Sequence, residues 1–505
     1  MLSKTRSACN TGVEACAVDV EVDISGGLPC FTVVGLPDTA IKESRDRIRS
    51  AIRNSGFHFP STRVTVNLSP ADTKKEGAGL DLPIAIGVLA CEDIVDVACL
   101  EGTAFVGELS LNGRLKPLRG ALSAALALKD RCKAIILPAA NAEEASHIKG
   151  VEIYGARGLR EVIDHLKGLD LITPAEPVRE DASAASNTYP DMRDVKGQEH
   201  VKRALEVAAS GGHNILMIGP PGSGKSMLAK RFPGILPDLS HDERLEATNI
   251  HSISGLLKNG SLIRERPFRS PHHTISYAAM VGGGTSPMPG EITLSHHGVL
   301  FLDEFPEFRR DVLETLRQPM ETGEVTITRV QRSSTYPSRF LLIAAMNPCP
   351  CGYFTDPRKQ CHCSAHQIQK YLSKISGPLL DRIDIHVEVP RLSYENLSGR
   401  RTGESSTNIK ERVLAARNIQ SSRFGPERVN ANMGPKDIET YCKISDEAEK
   451  LLKTAILELG ISARAYHKIL KISLTIADMD SSDIVTTQHI SEAIGYRTLD
   501  RGIWH

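Results

Sequence analysis

The sequence predicts an α/β fold in which a module with a parallel sheet and a helical C-terminal region follows a smaller α+β domain. Three observations support this prediction. Beyond residue 193, strand-like runs alternate with helical stretches, which is typical of parallel sheets with crossover helices. From about residue 405 the apolar periodicity is helical throughout. Before residue 171, short strands and two amphipathic helices indicate a separate domain.

The composition is that of an ordinary globular protein. The length of 505 residues corresponds to roughly two to four domains, each large enough to bury its own core. Hydrophobic residues make up 41% and charged residues 24%, which excludes disordered, collagen-like and coiled-coil proteins. Lys and Arg together number 61, as do Asp and Glu, so the formal net charge is zero. A histone-like protein that coats its partner with a polybasic surface is therefore disfavoured. Local basic surfaces, such as the lining of a pore, stay compatible with the sequence.

The sequence also predicts the cellular compartment of the protein. No apolar run reaches the roughly 18 residues of a membrane-spanning helix, and the N-terminal residues lack the order of a signal peptide. We therefore expect a cytoplasmic protein with no membrane partner. Eleven cysteines do not make a disulfide scaffold in a chain of this length, and seven of them are scattered like small apolar residues.

The predicted elements follow in order along the chain. In residues 1–170, CFTVVGL, RVTVNLS, GTAFVGEL and KAIILPA are predicted strands, and TAIKESRDRIRSAIRNSG and GALSAALALKDR are predicted helices. Residues 171–192 are rich in Pro, Ala, Ser, Asp and Glu and are predicted to be a linker. Strands NILMIG, VLFLDEF and FLLIAAMN belong to a module spanning residues 193–395. Four helical stretches within residues 405–505 are expected to form a small bundle.

The strongest motif is GPPGSGKS at residues 219–226, between the strand NILMIG and a helix. It matches the pattern G-x-x-x-x-G-K-[ST] of phosphate loops. Gly222 and Gly224 let the backbone fold around an anion, so that successive N–H groups face the phosphates. Lys225 is predicted to contact the β and γ oxygens of ATP, and the Ser226 hydroxyl to bind Mg²⁺. The predicted ATP-binding residues are Gly219, Pro220, Pro221, Gly222, Ser223, Gly224, Lys225, Ser226 and Asp303.

Two further predicted strands end in polar residues. GVLFLDEF ends in Asp303, predicted to hold the Mg²⁺, and Glu304, predicted to be the general base that orients the attacking water. FLLIAAMN ends in Asn347, predicted to hydrogen-bond the γ-phosphate or that water. Because ligands bind at the carboxyl ends of strands in open α/β sheets, the three motifs favour one site. The alternatives are a solvated acidic pair and a turn-forming asparagine.

The order GPPGSGKS, VLFLDEF, AAMNPCPCG, LLDRIDI and SARAYHKIL resembles the magnesium-chelatase-like AAA+ ATPases, and more closely the ComM (YifB-type) competence family. With NPCPCGYF and the N-terminal VVGLPDTAIKESRDRIRSAI, the resemblance covers essentially the whole chain. It implies a P-loop AAA+ module with a helical lid. In that module Asp303 and Glu304 are the Walker B pair and Asn347 is sensor 1. The resemblance also implies that Arg382 is the arginine finger and that Arg464, on the lid, is sensor 2.

An arginine finger acts on the nucleotide of a neighbouring subunit, where it neutralises charge on the transferred phosphoryl group. The resemblance therefore implies hydrolysis by a homo-oligomeric ring, which we expect to be a hexamer. The alternative for Arg382 is a surface ion cluster with Asp381 and Asp384. For Arg464 the alternative is an ordinary charge on a helix surface.

A hairpin is predicted after the Walker B strand, because VTITRV alternates and is bounded by polar residues. In the resembled family, this hairpin precedes sensor 1 and points into the pore of the ring. Arg329 and Arg332 lie near it and are predicted to contact a DNA phosphate backbone by charge. The alternative is an ordinary solvated hairpin edge.

Four cysteines are clustered after sensor 1 as Cys-x-Cys, nine residues, Cys-x-Cys: Cys349, Cys351, Cys361 and Cys363. Four thiolates on a Pro- and Gly-rich excursion suit a structural Zn²⁺, although the spacing departs from the commoner Cys-x₂₋₄-Cys. The alternative is free thiols or a redox-labile pair, and His362 and His366 are spare ligand candidates. Two histidine pairs also suggest a metal site, although such pairs are more often polar loop and strand-end residues. They are His272, His273, His296 and His297.

Residues 1–170 resemble the Lon-protease fold. By this resemblance, Gly79 stands where Lon proteases carry the nucleophilic serine, and Leu122 stands at the position of the catalytic lysine. Without that hydroxyl and that amine there is no Ser–Lys dyad, so we predict no proteolysis. Lys74 and Lys75 are nearby but have no partner serine at the motif position. We expect the domain to bind DNA or a partner, or to shape the ring.

The sequence therefore predicts ATP hydrolysis by a ring motor, with Mg²⁺ as cofactor. By resemblance, this motor is a helicase that acts on branched or single-stranded DNA. The resemblance further implies that it promotes branch migration when incoming DNA is recombined in natural transformation. The first alternative is a magnesium-chelatase-type ATPase subunit, which needs a porphyrin-binding partner and no DNA. An ATP-dependent protease is disfavoured by Gly79 and Leu122, and a passive ATP-binding scaffold by Glu304 and Arg382.

Overall fold

The computed structural model shows two α/β domains in sequence, followed by a helical region. The described residues are 1–71, 75, 77–177, 189–257, 261–284, 288–329, 332–354, 356, 359–392, 403–459 and 462–497. Among these residues, no helix combines the length and the apolar character that crossing a bilayer requires.

The N-terminal domain is built on a mixed sheet of seven strands. Its strands are β1 (Leu2–Thr11), β2 (Glu14–Ser25), β3 (Cys30–Val34), β4 (Arg63–Ser69), β5 (Thr103–Phe105), β8 (Ala134–Pro138) and β9 (Glu152–Ala156), with the small hairpin β6 (Glu108–Leu109) and β7 (Leu115–Lys116) beside them. The strand order is β3-β4-β2-β1-β5-β8-β9. Strand β2 runs antiparallel to both β1 and β4, and the remaining neighbours are parallel.

Helices cover both faces of this sheet. They are α1 (Thr39–Asn54), α2 (Asp81–Cys91), α3 (Ala121–Leu128), α4 (Ala139–Ser146) and α5 (Leu159–Leu166). Successive side chains of a strand point to opposite faces. Accordingly, Val18, Val20 and Val22 of β2 are buried in the core that contains α1, α2 and α5. Ala15 and Ala17 of the same strand pack against the core formed with α3 and α4.

The second domain contains a parallel sheet of five strands. These are β10 (Ile215–Ile218), β11 (Phe268–Arg269), β14 (Val299–Leu302), β17 (Leu341–Met346) and β18 (Ile385–Glu388), in the order β11-β14-β17-β10-β18. Every neighbouring pair is parallel, as the sequence predicts. Two antiparallel hairpins project from it, one of β12 (Gly282–Gly283) with β13 (Met288–Pro289), the other of β15 (Glu324–Arg329) with β16 (Arg332–Pro337).

The helices of this domain pack on both faces of its sheet. They are α6 (Glu199–Gly211), α7 (Lys225–Arg231), α8 (His241–Ile253), α9 (Tyr277–Val281), α10 (Glu291–Leu294), α11 (Arg310–Glu314), α12 (Arg317–Thr322), α13 (Ala365–Leu372) and α14 (Gly377–Leu380). Ile215 and Met217 of β10 face a core shared with α6 and the C-terminal helices. Leu216 and Ile218 face the opposite core, which includes Ile327 of the second hairpin. Burial on both faces explains why the strands are continuously apolar.

The C-terminal region is helical, as predicted. Its helices are α15 (Ser406–Phe424), α16 (Pro435–Tyr441), α17 (Asp446–Leu459), α18 (Ala463–Met479) and α19 (Thr487–Gly495). Ile469, Ile472 and Ile476 of α18 are buried in the core beneath the five-stranded sheet. The lid therefore shares a hydrophobic core with the ATPase sheet instead of forming an isolated bundle.

The turn of the β1–β2 hairpin connects the first domain to the second. Val13, in this turn, packs into the core of the second domain. Its carbonyl oxygen accepts hydrogen bonds from Asn249 Nδ2 on α8, at 2.7 Å, and from Ser123 Oγ on α3, at 2.9 Å. The Gly120 N–H, just before α3, donates to Ser252 Oγ of α8 at 3.2 Å. Helix α8 is thus the surface on which the N-terminal domain rests.

The predicted α/β class and the parallel sheet are confirmed, but the β1–β2 hairpin was not predicted. The inward face of β1 carries small polar side chains. Ser3 Oγ donates to the Gly87 carbonyl at 2.8 Å, and Thr5 Oγ1 donates to the Pro83 carbonyl at 3.1 Å. Because carbonyl oxygens of α2 accept hydrogen bonds from these hydroxyls, the strand can be buried without the alternating apolar pattern that predicts a strand.

The predicted linker, residues 171–192, is packed at both of its described ends. The Ala175 N–H donates to the Ile153 carbonyl of β9 at 2.7 Å, and the Tyr189 hydroxyl donates to the Arg266 carbonyl at 2.7 Å. Residues 178–188 lie outside the described part of the chain. The domain boundaries stay predictions.

Candidate active site

The phosphate-loop motif follows the carboxyl end of β10, and β10 itself lies between β17 and β18 in the sheet. Gly222 and Gly224 have φ angles of 75° and 96°, which L side chains rarely adopt. Gly219 is required for a different reason, because a Cβ there would lie 2.2 Å from the Val389 carbonyl oxygen. The loop conformation therefore depends on three glycines, two for their φ angles and one for close backbone approach.

Lys225 is buried within the loop that it would use to bind phosphate. Its Nζ donates to the carbonyl oxygens of Gly219 at 2.7 Å and Pro220 at 3.0 Å, and to Asn347 Oδ1 at 3.2 Å. Burial lowers the pKa of this ammonium group to about 8, although Asp303 partly opposes the shift. A bound polyphosphate would restore the preference for the charged form, so the loop suits an anionic ligand.

Ser226, in the first turn of α7, and Asp303, after β14, bring two oxygen ligands together. Ser226 Oγ donates to Asp303 Oδ2 at 2.5 Å, and the Glu304 N–H donates to Asp303 Oδ1 at 2.9 Å. A hydroxyl and a carboxylate are the protein ligands that Mg²⁺ takes beside nucleotide phosphates. The pair therefore fits the predicted Mg²⁺ site.

Glu304 contacts a histidine that the sequence did not assign to this site. The His273 Nδ1 lies 3.0 Å from Glu304 Oε2. Glu304 itself has a φ angle of 53°, an uncommon conformation for a residue other than glycine. The adjacent carboxylates thus have different partners, Ser226 of the phosphate loop for Asp303 and His273 for Glu304.

Asn347 and the cysteine segment that follows it contact the phosphate loop directly. Besides the contact between Asn347 and Lys225, a Cβ at Gly352 would lie 2.5 Å from Cδ of Pro221 and 3.7 Å from Cγ of Asn347. Gly352 also has a φ angle of 83°. The segment that leaves Asn347 therefore packs against both the phosphate loop and the predicted sensor.

The four clustered cysteines converge as the spacing predicted. The Sγ atoms of Cys349, Cys351 and Cys361 lie 3.3 to 3.7 Å from one another, and those of all four cysteines lie within 4.8 Å. Four thiolates around Zn²⁺, with Zn–S bonds of about 2.3 Å, are separated by about 3.8 Å. The arrangement therefore fits a tetrahedral Zn²⁺. His362 and His366 are not part of this group within the described residues.

Two pKa shifts distinguish the cysteines. Burial raises the pKa of the Cys349 thiol to about 12. Burial acts in the same direction on Cys351, but the Tyr353 N–H and the Cys349 thiol outweigh it and lower the pKa of Cys351 to about 6.

Arg382 and Arg464 each form an ion pair near the C-terminal end of α14. Arg382 Nη2 pairs with Glu321 at the end of α12, and its Nη1 donates to the Pro378 carbonyl at 2.5 Å. Arg464 Nη1 pairs with Asp381, the residue before Arg382, at 3.4 Å. The Arg464 side chain is 71% exposed, which leaves its guanidinium accessible to a second molecule.

A buried ion pair and two hydrogen bonds hold the segment that carries Arg382 against the lid. Lys468 Nζ on α18 pairs with Asp384 at 2.9 Å and donates to the Ile383 carbonyl at 3.1 Å. Arg497 Nη1 donates to the same carbonyl at 2.7 Å. Although burial opposes ionisation, Lys468 and His213 hold the pKa of Asp384 well below its usual range. The lid helix therefore fixes the backbone that follows Arg382.

The predicted hairpin forms, with Arg329 of β15 opposite Arg332 of β16 at its end. Its root is anchored by Val325, Ile327 and Tyr336, which are buried in the core of the ATPase domain. The side chains of Arg329 and Arg332 lie outside the described part of the structure. Their contact with DNA stays a prediction.

The second histidine pair forms a hydrogen-bond network. His296 Nε2 and His297 Nε2 lie 2.9 Å and 2.7 Å from Glu246 Oε2, and the Arg339 N–H donates to His296 Nδ1 at 3.0 Å. A histidine that ligates metal through Nε2 normally donates its other ring N–H, whereas His296 accepts there. The geometry therefore favours the interpretation as polar loop residues, even though these three residues are close enough to hold an ion.

The positions compared with the Lon dyad carry no reactive side chain. Gly79 lies in a short 3₁₀ turn before α2, and Leu122 is fully buried on α3. Lys75 is fully buried and donates to the Pro70 carbonyl, whereas Lys74 lies outside the described residues. Nothing at these positions supplies a nucleophile.

Gln198 also belongs to the site, although no distinctive sequence pattern marks it. It has a φ angle of 58° and is buried beside the loop, where its Nε2 donates to the Ser223 carbonyl at 2.6 Å and to the Pro390 carbonyl at 3.2 Å. An isolated Gly-Gln pair before a helix is too common a pattern to predict this contact.

Comparison with known proteins identifies the family. Models described as magnesium chelatase subunit ChlI, subunit ChlI of Mg-chelatase and the ChlI C-terminal region match residues 191–397, 20–141 and 403–497. Competence protein ComM of Haemophilus influenzae is 45% identical over 98% of this chain and 97% of its own length. YifB of Escherichia coli K12 is 45% identical over 100% and 98%, respectively.

A magnesium-chelatase 38 kDa subunit of Rhodobacter capsulatus is more distant, with 24% identity over 51% of this chain and 69% of its own length. The full-length similarity to ComM and YifB agrees with the site geometry and confirms the resemblance predicted from the motifs. The chain belongs to the magnesium-chelatase-like AAA+ ATPase family that includes ComM and YifB.

Proposed function

We propose that this protein is a ring-shaped, ATP-hydrolysing motor that acts on branched or single-stranded DNA in the cytoplasm. Its work is branch migration, as a helicase, during recombination of incoming DNA in natural transformation. The observation that carries the proposal is the convergence of three strand ends. Lys225 contacts Asn347, and Ser226 contacts Asp303, although the four residues come from three different segments.

ATP hydrolysis follows from the roles that these groups can take. The loop N–H groups and Lys225 bind the phosphates, and Mg²⁺ held by Ser226 and Asp303 would neutralise charge between them. Glu304 accepts the proton of the attacking water, and Asn347 orients that water or the γ-phosphate. Glu304, Asp303 and Asn347 directly follow buried strands, and Lys225 and Ser226 begin helix α7, so rigid elements fix their positions.

Hydrolysis between subunits is supported by the position of the two arginines. Arg464 contacts Asp381, the residue before Arg382, so the lid helix meets the surface segment that carries Arg382. We infer that this surface is presented to the nucleotide of the neighbouring protomer, in a closed ring that we expect to be a hexamer. Lys468 on the same lid helix supports the backbone behind Arg382.

The DNA substrate is supported by the name of the ComM relative, a competence protein, and by the two hairpins of the ATPase domain. Gly282 of the first hairpin packs against Ile327 of the second, where an added Cβ would lie 2.7 Å from Ile327 Cδ1. The hairpins therefore form one unit, and Arg329 and Arg332 at the end of the second would contact phosphates.

We further propose that Cys349, Cys351, Cys361 and Cys363 hold a structural Zn²⁺. Its role is to stabilise the segment after Asn347, which packs on Pro221 of the phosphate loop. For the N-terminal domain we propose a role in binding DNA or a partner, or in shaping the ring. Proteolysis is excluded from this proposal by Gly79 and Leu122.

The test is the ATPase rate of the full-length protein with and without a four-way DNA junction. We expect stimulation by the junction that falls as salt is raised, because contacts to phosphates release counterions. Arg329→Ala with Arg332→Ala should remove the stimulation and leave basal hydrolysis in place. Equal rates with and without DNA, over a range of DNA forms and low salt, would contradict the DNA substrate.

The second candidate function is a magnesium-chelatase-type ATPase subunit. It is favoured by the descriptions of the three matching family models and by the Rhodobacter relative. This function predicts ATPase activity without any response to DNA, and a requirement for a porphyrin-binding partner. The junction experiment therefore separates the two candidates directly.

A further inference from the structure

Helix α1 of the N-terminal domain carries a row of basic side chains on its surface. This basic row consists of Lys42, Arg45, Arg49 and Arg53, all of which are exposed. Residues three and four positions apart are neighbours on a helix surface, because an α-helix has 3.6 residues per turn. The positive charges are therefore aligned over about 16 Å of helix length.

The packing of α1 leaves the basic row outside the domain. Ile41, Ile48 and Ile52, on a different side of the helix, are buried in the core of the N-terminal domain. Arg47, which is not part of the row, is turned towards that domain and pairs with the buried Asp81 at 3.0 Å. The row is thus the part of α1 that neither the core nor the internal ion pair uses.

Little within the chain neutralises the basic row. In the part of the chain that the structure describes, Lys42, Arg49 and Arg53 have no ion-pair partner. Arg45 Nε lies 3.9 Å from Asp46 Oδ1, and the two side chains are 51% and 89% exposed. Because an ion pair of that length and exposure contributes little, the row keeps a net positive charge that a ligand can use.

Two aromatic rings follow α1 in the sequence, and an arginine lies over each of them. The Arg49 guanidinium lies 6.0 Å from the centroid of Phe59, and that of Arg160 lies 5.2 Å from the centroid of Phe57. Phe59 is also buried. Proteins that bind single strands stack the bases on open aromatic faces, which these two rings do not offer. The surface therefore suits a phosphate backbone better than unstacked bases.

The dimensions of the basic row match those of double-stranded DNA. Each strand of a duplex carries one phosphate every 3.4 Å along the axis, so a length of about 16 Å presents about five phosphates of one strand. Both partners are rigid, since α1 is held by its core and a duplex is stiff over this length. Binding therefore costs little ordering of either backbone.

We propose that the basic row on α1 binds the phosphate backbone of a duplex arm of the substrate DNA. The inference rests on the proposed function and assigns a DNA contact to the N-terminal domain. The row belongs to a different domain from the hairpin that carries Arg329 and Arg332, so the protein holds its substrate at two places. Contacts to phosphates position a duplex without reading its sequence, which suits a motor that moves along any DNA.

Three variants of the full-length protein test this proposal. The row variant removes three charges of the basic row by Arg45→Gln, Arg49→Gln and Arg53→Gln. The control variant removes the same charge from exposed positions elsewhere in the N-terminal domain, by Lys129→Gln, Arg131→Gln and Lys133→Gln. Asp46→Asn acts in the opposite direction, because it removes an exposed acidic side chain next to the row.

The measurement is fluorescence anisotropy of labelled DNA at several salt concentrations, in the presence of a non-hydrolysable ATP analogue. The probes are a four-way junction, a linear duplex and a single-stranded oligonucleotide. We expect the row variant to bind the junction and the duplex at least about tenfold more weakly at low salt. The slope of log affinity against log salt should fall by about 2 to 3, since each phosphate contact contributes about 0.9.

The other two variants sharpen the result. The control variant should bind within about twofold of the wild type, and Asp46→Asn should bind about twofold more tightly or better. Unchanged binding by the row variant, with unchanged melting temperature and assembly, would overturn the proposal. An equal loss in the control variant, or a loss limited to the single strand, would overturn it as well. If the row variant fails to fold, unchanged or weaker binding by Asp46→Asn overturns it.

The outcome is distinguishable from failure of the proposed function. If the wild type binds no form of DNA, the DNA substrate itself is wrong. If the wild type binds the duplex and the row variant binds it equally well, only the basic row is wrong. If the row variant loses binding while the wild-type ATPase rate does not respond to the junction, the basic row stands and the DNA motor is wrong.

Discussion

The two α/β domains both bury charged residues, but they use them differently. In the ATPase domain, Lys225 begins helix α7 and Asp303 follows strand β14. Their partners Asn347 and Ser226 are themselves proposed ligands of nucleotide or metal. In the N-terminal domain, Asp81 pairs with Arg47 through two hydrogen bonds of 3.0 and 3.3 Å and accepts a third from the Leu109 N–H.

The difference shows that burial of a charge does not by itself mark a site. The Asp81 carboxylate is satisfied by a neighbouring helix and backbone, and the fully buried Lys75 by the Pro70 carbonyl. Their contacts connect α2 to α1 and to nearby backbone of the same domain. In the ATPase domain, several charged and polar groups converge on one loop that a phosphate can enter. Convergence at the carboxyl ends of parallel strands is the feature that indicates chemistry.

Removing Lys225 should have the most severe effect on the ATPase domain. We expect Lys225→Ala to abolish detectable ATP binding and to lower hydrolysis by at least about 100-fold, because no other ammonium group is buried in the loop. Binding of a fluorescent ATP analogue and release of phosphate measure the two effects. Lys230→Ala, at an exposed position on the same helix, is the control. Normal ATP affinity in Lys225→Ala would refute the assignment of the loop.

Glu304→Gln should separate binding from turnover. The amide cannot accept the proton of the attacking water, so we expect hydrolysis to fall by about 10²- to 10⁴-fold while ATP remains bound. Retained nucleotide after gel filtration, with single-turnover phosphate release, measures both. The control is Glu307→Gln, whose carboxylate pairs with Lys374 at the surface. Undiminished hydrolysis would remove Glu304 as the base.

Asp81→Asn should affect the stability of the N-terminal domain and leave ATP hydrolysis unchanged. Burial outweighs the contact with Arg47 and raises the pKa of Asp81 from 3.8 to about 6. A carboxyl group whose pKa is raised by folding contributes stability below about pH 3.8, and this contribution is lost as the pH rises through about 6. Between pH 4 and pH 7 the wild type should therefore lose about 2 kcal/mol relative to Asp81→Asn.

Urea unfolding at several pH values, followed by hydrogen exchange of α2, measures this difference in unfolding free energy. Asp46→Asn is the control, because that carboxylate lies on α1 and is 89% exposed. A pH-independent difference between the wild type and Asp81→Asn would show that the carboxyl group titrates normally. Loss of ATPase activity in folded Asp81→Asn would contradict the claim that the buried charge of the N-terminal domain has no part in ATP hydrolysis.

The cysteine cluster should give the mildest phenotype. Protein purified without a metal-affinity tag is expected to contain about one Zn²⁺ per chain. Replacing Cys361 and Cys363 by Ser should lower the melting temperature and raise KM for ATP, because the cluster supports Gly352 against Pro221. Cys99→Ser, at an exposed cysteine of the N-terminal domain, is the control. A metal content far below one per chain by elemental analysis would discard the zinc site.

Much of the ATPase site was predictable because its signals are local. A glycine-rich loop, two strand-ending polar motifs and a Cys-x-Cys pattern each occupy a short stretch, and sheet topology brings them together. The contact of Arg464 with Asp381 was not predictable, since it depends on how the lid packs against the sheet, 83 residues away in sequence.

Two other features escaped prediction for different physical reasons. Strand β1 was not predicted because buried serine and threonine residues interrupt its apolar pattern, and the hydroxyls of Ser3 and Thr5 donate to carbonyl oxygens of α2. In the sequence, His273 stands out only as one member of a histidine pair, and this pattern does not indicate its distance to Glu304. Side chains that act through a contact between separate segments leave little trace in a single sequence.

The central claim is that one active site is built from two protomers, and mixed rings test it most directly. Lys225→Ala and Arg382→Ala are each expected to be inactive, because one lacks the proposed phosphate-binding group and the other the proposed arginine finger. In equimolar mixed rings, about a quarter of the interfaces combine an intact loop with an intact finger. The account predicts recovery of ATP hydrolysis in such rings, with co-purification of differently tagged subunits confirming that they form. Rings that contain both variants and show no recovery would contradict it.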